Sequence, residues 1–194
     1  MQLNNARDFI FKKMAIGLPK HLYYHGLTHT QDVFSAAEYL AEQEKINPYQ
    51  TQLILTAASY HDSGFLSCYA GHEEASCRIT EENLPLFDYT KDEIELICGM
   101  IRATRIPQSP QNPLEEIIAD ADLDYLGRDD YFTISNQLFK ELLYSKLISD
   151  EAEWERLQIN FIENHQYFTK TSIRLREAKK QSNLEKIKAR LNKS

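Results

Sequence analysis

The sequence predicts an all-α protein, a single-domain helical bundle with a core of about five to six helices and a C-terminal helical extension. Apolar residues recur at helical spacing along most of the 194 residues, and helix start and stop signals separate these stretches. No segment alternates convincingly with the period of two that is typical of a strand. The length suits one domain, and six Gly and six Pro leave little room for long linkers.

The predicted helices follow one another with short breaks. Thr28 and Thr90, each followed three residues later by Gln or Glu, fit capping boxes, and Asn47-Pro48 supplies an N-cap and a first-turn proline. The helix after Asn47 is expected to run into His61-Asp62 and to stop at Ser63-Gly64. Later helices are predicted near residues 72–83, 91–105, 114–126, 131–148 and 151–166, followed by a basic helical tail. Residues of about 20–130 form the predicted core, and those of about 131–194 form the extension.

Charge and cysteine content narrow the class of protein. The chain has a net charge of −7, but residues 170–194 carry +7, so the rest of the chain carries −14. An acidic body is a poor match for nucleic acid, and no nucleic-acid partner is expected. We expect no membrane partner either, because no apolar run is long enough to span a bilayer and residues 1–16 do not resemble a signal peptide. Three Cys without a C-x-x-C pair fit a reducing cytoplasm.

Four ionisable residues fall on predicted inward helix faces. His29 shares a stripe with Val33 and Leu40, and His61 continues the stripe of the following helix with Asp62 beside it. In the later Asp-Ala-Asp-Leu-Asp run, Asp122 lies four residues after Ile118 on the apolar stripe, which favours it modestly over Asp120 as the inward carboxylate. Each feature taken singly is more often structural, such as a satisfied core histidine or a solvated acidic face. Their occurrence together on converging stripes favours a site.

This set of side chains suits a divalent metal. A buried carboxylate is costly unless it is paired or bound to a cation, and mixed imidazole and carboxylate ligands suit Mn, Fe, Co, Ni, Zn or Mg without choosing among them. Four protein ligands would leave positions open for water and substrate oxygens. Hydrolysis of a phosphate ester needs such a centre, which activates water and acts as a Lewis acid on the phosphoryl group.

The extended segments around these residues resemble the HD superfamily of metal-dependent phosphohydrolases. Residues 24–30 (YHGLTHT), 57–65 (AASYHDSGF) and 119–127 (ADADLDYLG) are similar to that family's YHxxxHT, AAxxHDxGY and ADADLDxLG segments. The resemblance implies a helical fold, activity on a phosphate ester, often of a nucleotide or cyclic nucleotide, and one divalent metal held by His29, His61, Asp62 and Asp122. Asp120 is the alternative ligand, because a one-residue alignment slip would exchange it with Asp122.

The resemblance also suggests catalytic roles for three residues. Asp62 would orient water, His72 would act as a general acid or phosphate contact, and His25 would line the cleft. Relatives with two metals have a further His in an ATxH-like segment, where this chain has Ala103-Thr104-Arg105-Ile106, so one metal is favoured. For both His72 and His25 a purely structural role, at a helix start or in loop packing, stays open.

Substrate and partners are less constrained by the sequence. Arg102, Arg105 and Arg128 are candidates to bind phosphate, because Arg binds oxyanions with two parallel hydrogen bonds, and Arg174 and Arg176 are candidates to reach the mouth of the cleft. A solvated role is as frequent for each. The loops at 64–72 and 104–113 are the expected walls of the cleft, and the helical tail offers a surface for a possible homodimer. The alternative function is a non-catalytic, metal-stabilised module that senses nucleotides or binds a partner.

Overall fold

Helices form the whole regular framework of the computed structural model, which describes residues 1–191. No strand is present in this part of the chain, so the all-α, single-domain prediction is confirmed. Residues 192–194 of the predicted tail lie outside the described residues. The α-helices are α1 (Leu3–Gly17), α2 (Leu27–Gln43), α3 (Pro48–Tyr60), α4 (His72–Asn83), α5 (Lys91–Ala103), α6 (Pro113–Asp122), α7 (Tyr131–Tyr144), α8 (Glu151–Asn164) and α9 (Lys170–Leu191).

Two of the predicted helix starts are confirmed by their capping contacts, and one is wrong. The Asn47 side chain accepts a hydrogen bond from the Gln50 backbone at 3.0 Å, and Thr90 forms the full capping box with Glu93. The predicted capping box at Thr28 does not form. Gly26, in an extended conformation, is the N-cap of α2 instead, so the helix begins at Leu27 and Thr28 lies in its first turn. His29 therefore lies at the amino end of α2.

The first helix, α1, was not among the predicted elements. It buries Ala6, Ile10 and Met14, which are spaced four residues apart on one face. The Tyr60 hydroxyl donates a hydrogen bond to the Ala6 carbonyl at 3.2 Å and so ties α1 to the carboxyl end of α3. Helix α1 thereby completes the larger hydrophobic cluster, which is built from residues of α1 to α6 and the turns between them.

A second hydrophobic cluster joins the three C-terminal helices to the rest of the chain. Helix α6 ends at Asp122 instead of near residue 126, and a 3-10 helix covers Asp124–Gly127. Side chains of this turn pack with Ile162 of α8 and with Leu184 and Ile187 of α9. A Cβ on Gly127 would lie 2.4 Å from the Arg176 carbonyl oxygen, so only glycine permits this close crossing of α9.

The remaining differences from the predicted helices are at their ends. Helix α7 ends at Tyr144 and α8 at Asn164, both earlier than predicted. No described helix is long and apolar enough to cross a membrane. Cys68, Cys77 and Cys98 are free thiols, with no disulfide among the described residues.

Candidate metal centre

Three side chains converge on one point between α2, α3 and α6. Nε2 of His29 lies 3.1 Å from Oδ1 of Asp122 and 3.4 Å from Nε2 of His61, and His61 Nε2 lies 3.5 Å from the same Asp122 oxygen. The ligand atoms of His29, His61 and Asp122 all lie within 4.8 Å of one another. Asp62 is the fourth member, since its Oδ2 is 3.5 Å from His29 Nε2 and 3.4 Å from His61 Nε2. We call these four residues the His/Asp cluster.

The end of α3 lets two consecutive residues point to the same place. His61 is the last residue in helical conformation, and Asp62 leaves it with φ −102° and ψ 5°. The His61 Nδ1–H donates to the Ala58 carbonyl at 2.9 Å, which directs Nε2 at the cluster. A carbonyl partner of this kind typically fixes the orientation of a metal-binding imidazole.

Ser76 and Gly64 hold α4 against this helix end. The Ser76 hydroxyl donates to the His61 carbonyl at 2.6 Å and accepts from the Gly64 backbone at 2.8 Å. A Cβ on Gly64 would lie 1.9 Å from the His72 carbonyl oxygen, so a side chain here would push the start of α4 away. The Ser63-Gly64 pair therefore does more than stop α3, because it brings His72 to the edge of the cluster.

The charges of the cluster favour a cation at its centre. Burial opposes ionisation of Asp62, but the positive charge of His61 lowers the pKa of Asp62 well below its usual range. Burial likewise opposes ionisation of Asp122, while hydrogen bonds from His29 and His61 lower its pKa to about 2. Asp62 Oδ2 is buried and has no hydrogen-bond partner among the described residues. A buried, unpaired carboxylate oxygen beside two imidazole nitrogens fits a divalent metal of the transition series.

Asp120, the alternative ligand, lies outside the cluster. Its carboxylate is fully buried and accepts hydrogen bonds from the Phe168 backbone at 2.9 Å and from the Thr169 backbone and hydroxyl at 2.8 and 2.7 Å. All three donors come from the turn that starts α9. Asp120 therefore anchors the last helix, and the preference for Asp122 that helical periodicity indicates agrees with the geometry.

His72 and His25 lie beside the cluster, and both stack on Phe65. His72 Nδ1–H donates to the Tyr69 carbonyl at 3.1 Å, and its Nε2 lies 3.5 Å from Asp62 Oδ1. The Phe65 ring stacks on His72 at a centroid distance of 4.0 Å and on His25 at 4.5 Å. Both imidazoles are thus held in fixed orientations beside the Asp62 carboxylate.

Glu141 of α7 is a functional candidate that sequence reasoning missed. Its buried carboxylate accepts hydrogen bonds from the backbones of Tyr24 and His25 at 2.9 and 3.1 Å, from the Tyr69 hydroxyl at 3.1 Å and from His25 Nδ1 at 2.5 Å. Burial lowers the pKa of His25, but the hydrogen bond to Glu141 outweighs it and raises that pKa overall. One signal was available, because Glu141 falls on the stripe of Tyr131 and Leu138, where a charge needs a partner.

The arginines expected to grip phosphate have other partners. Arg102 and Arg105 pair with the Glu74 carboxylate on the surface, each at 3.1 Å. Arg128 pairs with Asp32 and Asp130 on the surface, and the Arg176 guanidinium donates to Asp124 at 2.7 Å. Neither these four nor Arg174 lines the cavity next to the cluster.

That cavity has a volume of about 300 Å³ and two chemically different parts. Asp62, Asp122, His25 and His72 line it where it meets the cluster. Its other walls are mainly apolar and come largely from α7, α8 and the turn after α6. The apolar residues include Leu123, Leu126, Leu138, Trp154, Leu157, Phe161 and Ile162. The loops predicted to form the walls, at 64–72 and 104–113, contribute only three lining residues, His72, Thr104 and Ile106.

Comparison with known proteins extends the description of the fold. A protein of Lactobacillus plantarum, whose crystal structure was determined in a structural genomics programme, has a similar fold with a TM-score of 0.67. The similarity covers 100% of this chain and 98% of that chain at 19% sequence identity. At this identity the likeness concerns the fold, and shared folds carry many functions. No family model matches the chain, and no curated protein matches it.

Proposed function

We propose that this protein is a metal-dependent phosphohydrolase of the HD type, which hydrolyses a phosphate ester; nucleotides and cyclic nucleotides are the first class to test. The observation that carries the proposal is the convergence of His29, His61 and Asp122 with the unpaired, buried Asp62 oxygen beside a cavity. One divalent ion would be held by these four residues. It would supply a Lewis acid for the phosphoryl group and lower the pKa of the attacking water.

The surrounding side chains have separate roles in the proposed reaction. Asp62, which lines the cavity and has its Oδ1 3.5 Å from His72 Nε2, orients the attacking water. The water gives up a proton to solvent and forms the new bond to phosphorus, and the bond from phosphorus to the leaving oxygen breaks. His72 delivers a proton to that oxygen, while His25, held by Glu141, contacts the phosphoryl oxygens. The three free thiols are consistent with a protein that functions in a reducing compartment such as the cytoplasm.

The proposal is tested with purified protein supplied in turn with Mn, Co, Ni and Mg. Bound metal is measured directly, and phosphomonoesters, nucleotides and cyclic nucleotides are screened for phosphate release. A His61→Ala, Asp62→Ala double variant is expected to lose metal and activity. The control is His21→Ala, which is expected to keep both, because the His21 ring stacks on Tyr144 outside the cluster. Equal hydrolysis by wild type and double variant would contradict the proposal. A nucleotide that raises the melting temperature but is never consumed would favour the alternative, a non-catalytic sensing module.

A further inference from the structure

The walls of the cavity bear on the class of substrate, and this inference rests on the proposed function. We propose that the substrate is a monophosphate ester of an apolar, ring-sized organic group, and that polyphosphates and esters of strongly polar groups are poor substrates. The phosphoryl group would lie at the His/Asp cluster. The organic group would lie against the apolar wall formed by α7, α8 and the turn after α6.

The charge of the cavity argues for a single phosphoryl group. Three carboxylates line it, those of Asp62, Asp122 and Glu73, and no lysine or arginine is among its described lining residues. One divalent metal, with the imidazoles of His25 and His72 as hydrogen-bond donors, is the available partner for phosphate oxygens. Sites that bind di- or triphosphates instead place Arg, Lys or further metal ions around each phosphate. A second or third phosphate here would face three carboxylates, of which only Glu73 has an arginine partner among the described residues, Arg105 at 3.8 Å.

The hydrogen-bonding capacity of the apolar part is largely satisfied within the protein. Gln158 lines the cavity, but its side-chain oxygen accepts from the Tyr131 hydroxyl at 2.7 Å and from the Ser135 hydroxyl at 2.6 Å. The Thr104 hydroxyl donates to the Ile101 carbonyl at 2.8 Å. The Gln158 amide nitrogen remains as a donor for a ligand. A sugar or glycerol group, with several hydroxyls, would therefore lose hydrogen bonds to water on entering.

The aromatic and branched aliphatic side chains of the cavity wall suit a substrate that carries an apolar ring. Trp154, Phe161 and Leu138 line the same space, and a volume of about 300 Å³ is at the lower end of the range for small-molecule sites. The free energy of binding becomes more favourable in proportion to the apolar area buried, so a fused ring system should bind there better than a small polar group. The selectivity thus comes from the wall and not from the metal ligands.

The test compares four esters with the metal-loaded full chain. We expect kcat/KM for naphthyl phosphate to exceed that for glycerol phosphate by at least about tenfold, and to exceed those for adenosine monophosphate and triphosphate. A preference for either adenosine nucleotide or for glycerol phosphate would overturn the inference. If no ester is hydrolysed, the proposed function fails, and calorimetric binding of naphthyl and glycerol phosphates then decides the inference by the same ranking.

A pair of exposed leucines provides the matched variants. Leu157 lines the cavity and is 45% exposed, whereas Leu175 is 40% exposed on α9 and does not line it, so neither change should unfold the protein. Leu157→Asp is expected to raise KM for naphthyl phosphate about fivefold more than it raises KM for glycerol phosphate. Leu175→Asp is expected to change neither. An unchanged naphthyl phosphate KM in Leu157→Asp, or an equal change in Leu175→Asp, would contradict the placement of the organic group.

Discussion

Two aspartates only two residues apart at the end of α6 are expected to respond in opposite ways to the same substitution. Asp120 binds the first turn of α9, and Asp122 belongs to the His/Asp cluster. Asparagine has the same shape as aspartate but replaces one carboxylate oxygen with a donor. Asp120→Asn should therefore reduce stability and leave metal binding intact, whereas Asp122→Asn should weaken metal binding.

The expected size of the Asp120 effect follows from its three hydrogen bonds. Each oxygen accepts at least one of them, so an amide nitrogen in either position opposes a backbone N–H of Phe168 or Thr169. A buried donor that loses its partner costs about 1–3 kcal/mol, and the Thr169 hydroxyl can reorient. Asp120→Asn should therefore lower the free energy of unfolding by about 3 kcal/mol. For a chain of this length, that corresponds to a fall in Tm of about 10 °C.

Urea unfolding followed by circular dichroism, with and without added Mn, measures both effects on one set of samples. Wild type and Asp120→Asn should both gain stability when metal is added, while Asp122→Asn should gain little or none. Two results would refute the reasoning: an Asp120→Asn protein within 1 kcal/mol of wild type, or one that no longer responds to metal while Asp122→Asn still does.

Three further substitutions test neighbouring contacts. Glu141→Gln removes the charge that pairs with His25, so the pKa of His25 should fall. NMR titration of the imidazole measures this pKa, and an unchanged value would contradict the pairing. Burial and a nearby lysine ammonium lower the pKa of His165 in the folded protein to about 4. In the unfolded chain the pKa of a His is about 6.5, so the unfolded chain binds the proton first as the pH falls. Wild type should thus lose about 2 kcal/mol more stability than His165→Gln between pH 7 and 5, and parallel pH profiles in urea unfolding would argue against this. In Gly64→Ala the new methyl group would overlap the His72 carbonyl, so the free energy of unfolding should fall by about 3 kcal/mol and the metal content should fall as well. A variant with wild-type stability would show that the contact relaxes.

Local signals predicted much of the fold, and contacts between distant elements limited the rest. Asn47 and Thr90 were correctly assigned as caps, because a cap depends on residues three positions away. Thr28 was wrong, because Gly26 already supplies an extended N-cap two residues earlier. Periodicity favoured Asp122 over Asp120 for the cluster, but it did not reveal that Asp120 is buried too, since its partners lie 48 residues further along the chain.

The C-terminal helices are the part of the site that sequence reasoning placed least well. If residues 131–191 were only an extension, they would be dispensable for the chemistry. However, Glu141 binds the backbone that precedes His29, and α7 and α8 form most of the apolar wall of the cavity. Tyr24, whose ring centroid lies 4.5 Å from that of His29, and Leu123, next to Asp122, belong to the same hydrophobic cluster as Ile162 and Leu184. The residues of the His/Asp cluster come from the first two thirds of the chain, and most of the apolar wall of the cavity comes from the last third. Local sequence therefore predicts the cluster, while the proposed selectivity would depend on helices that carry no motif.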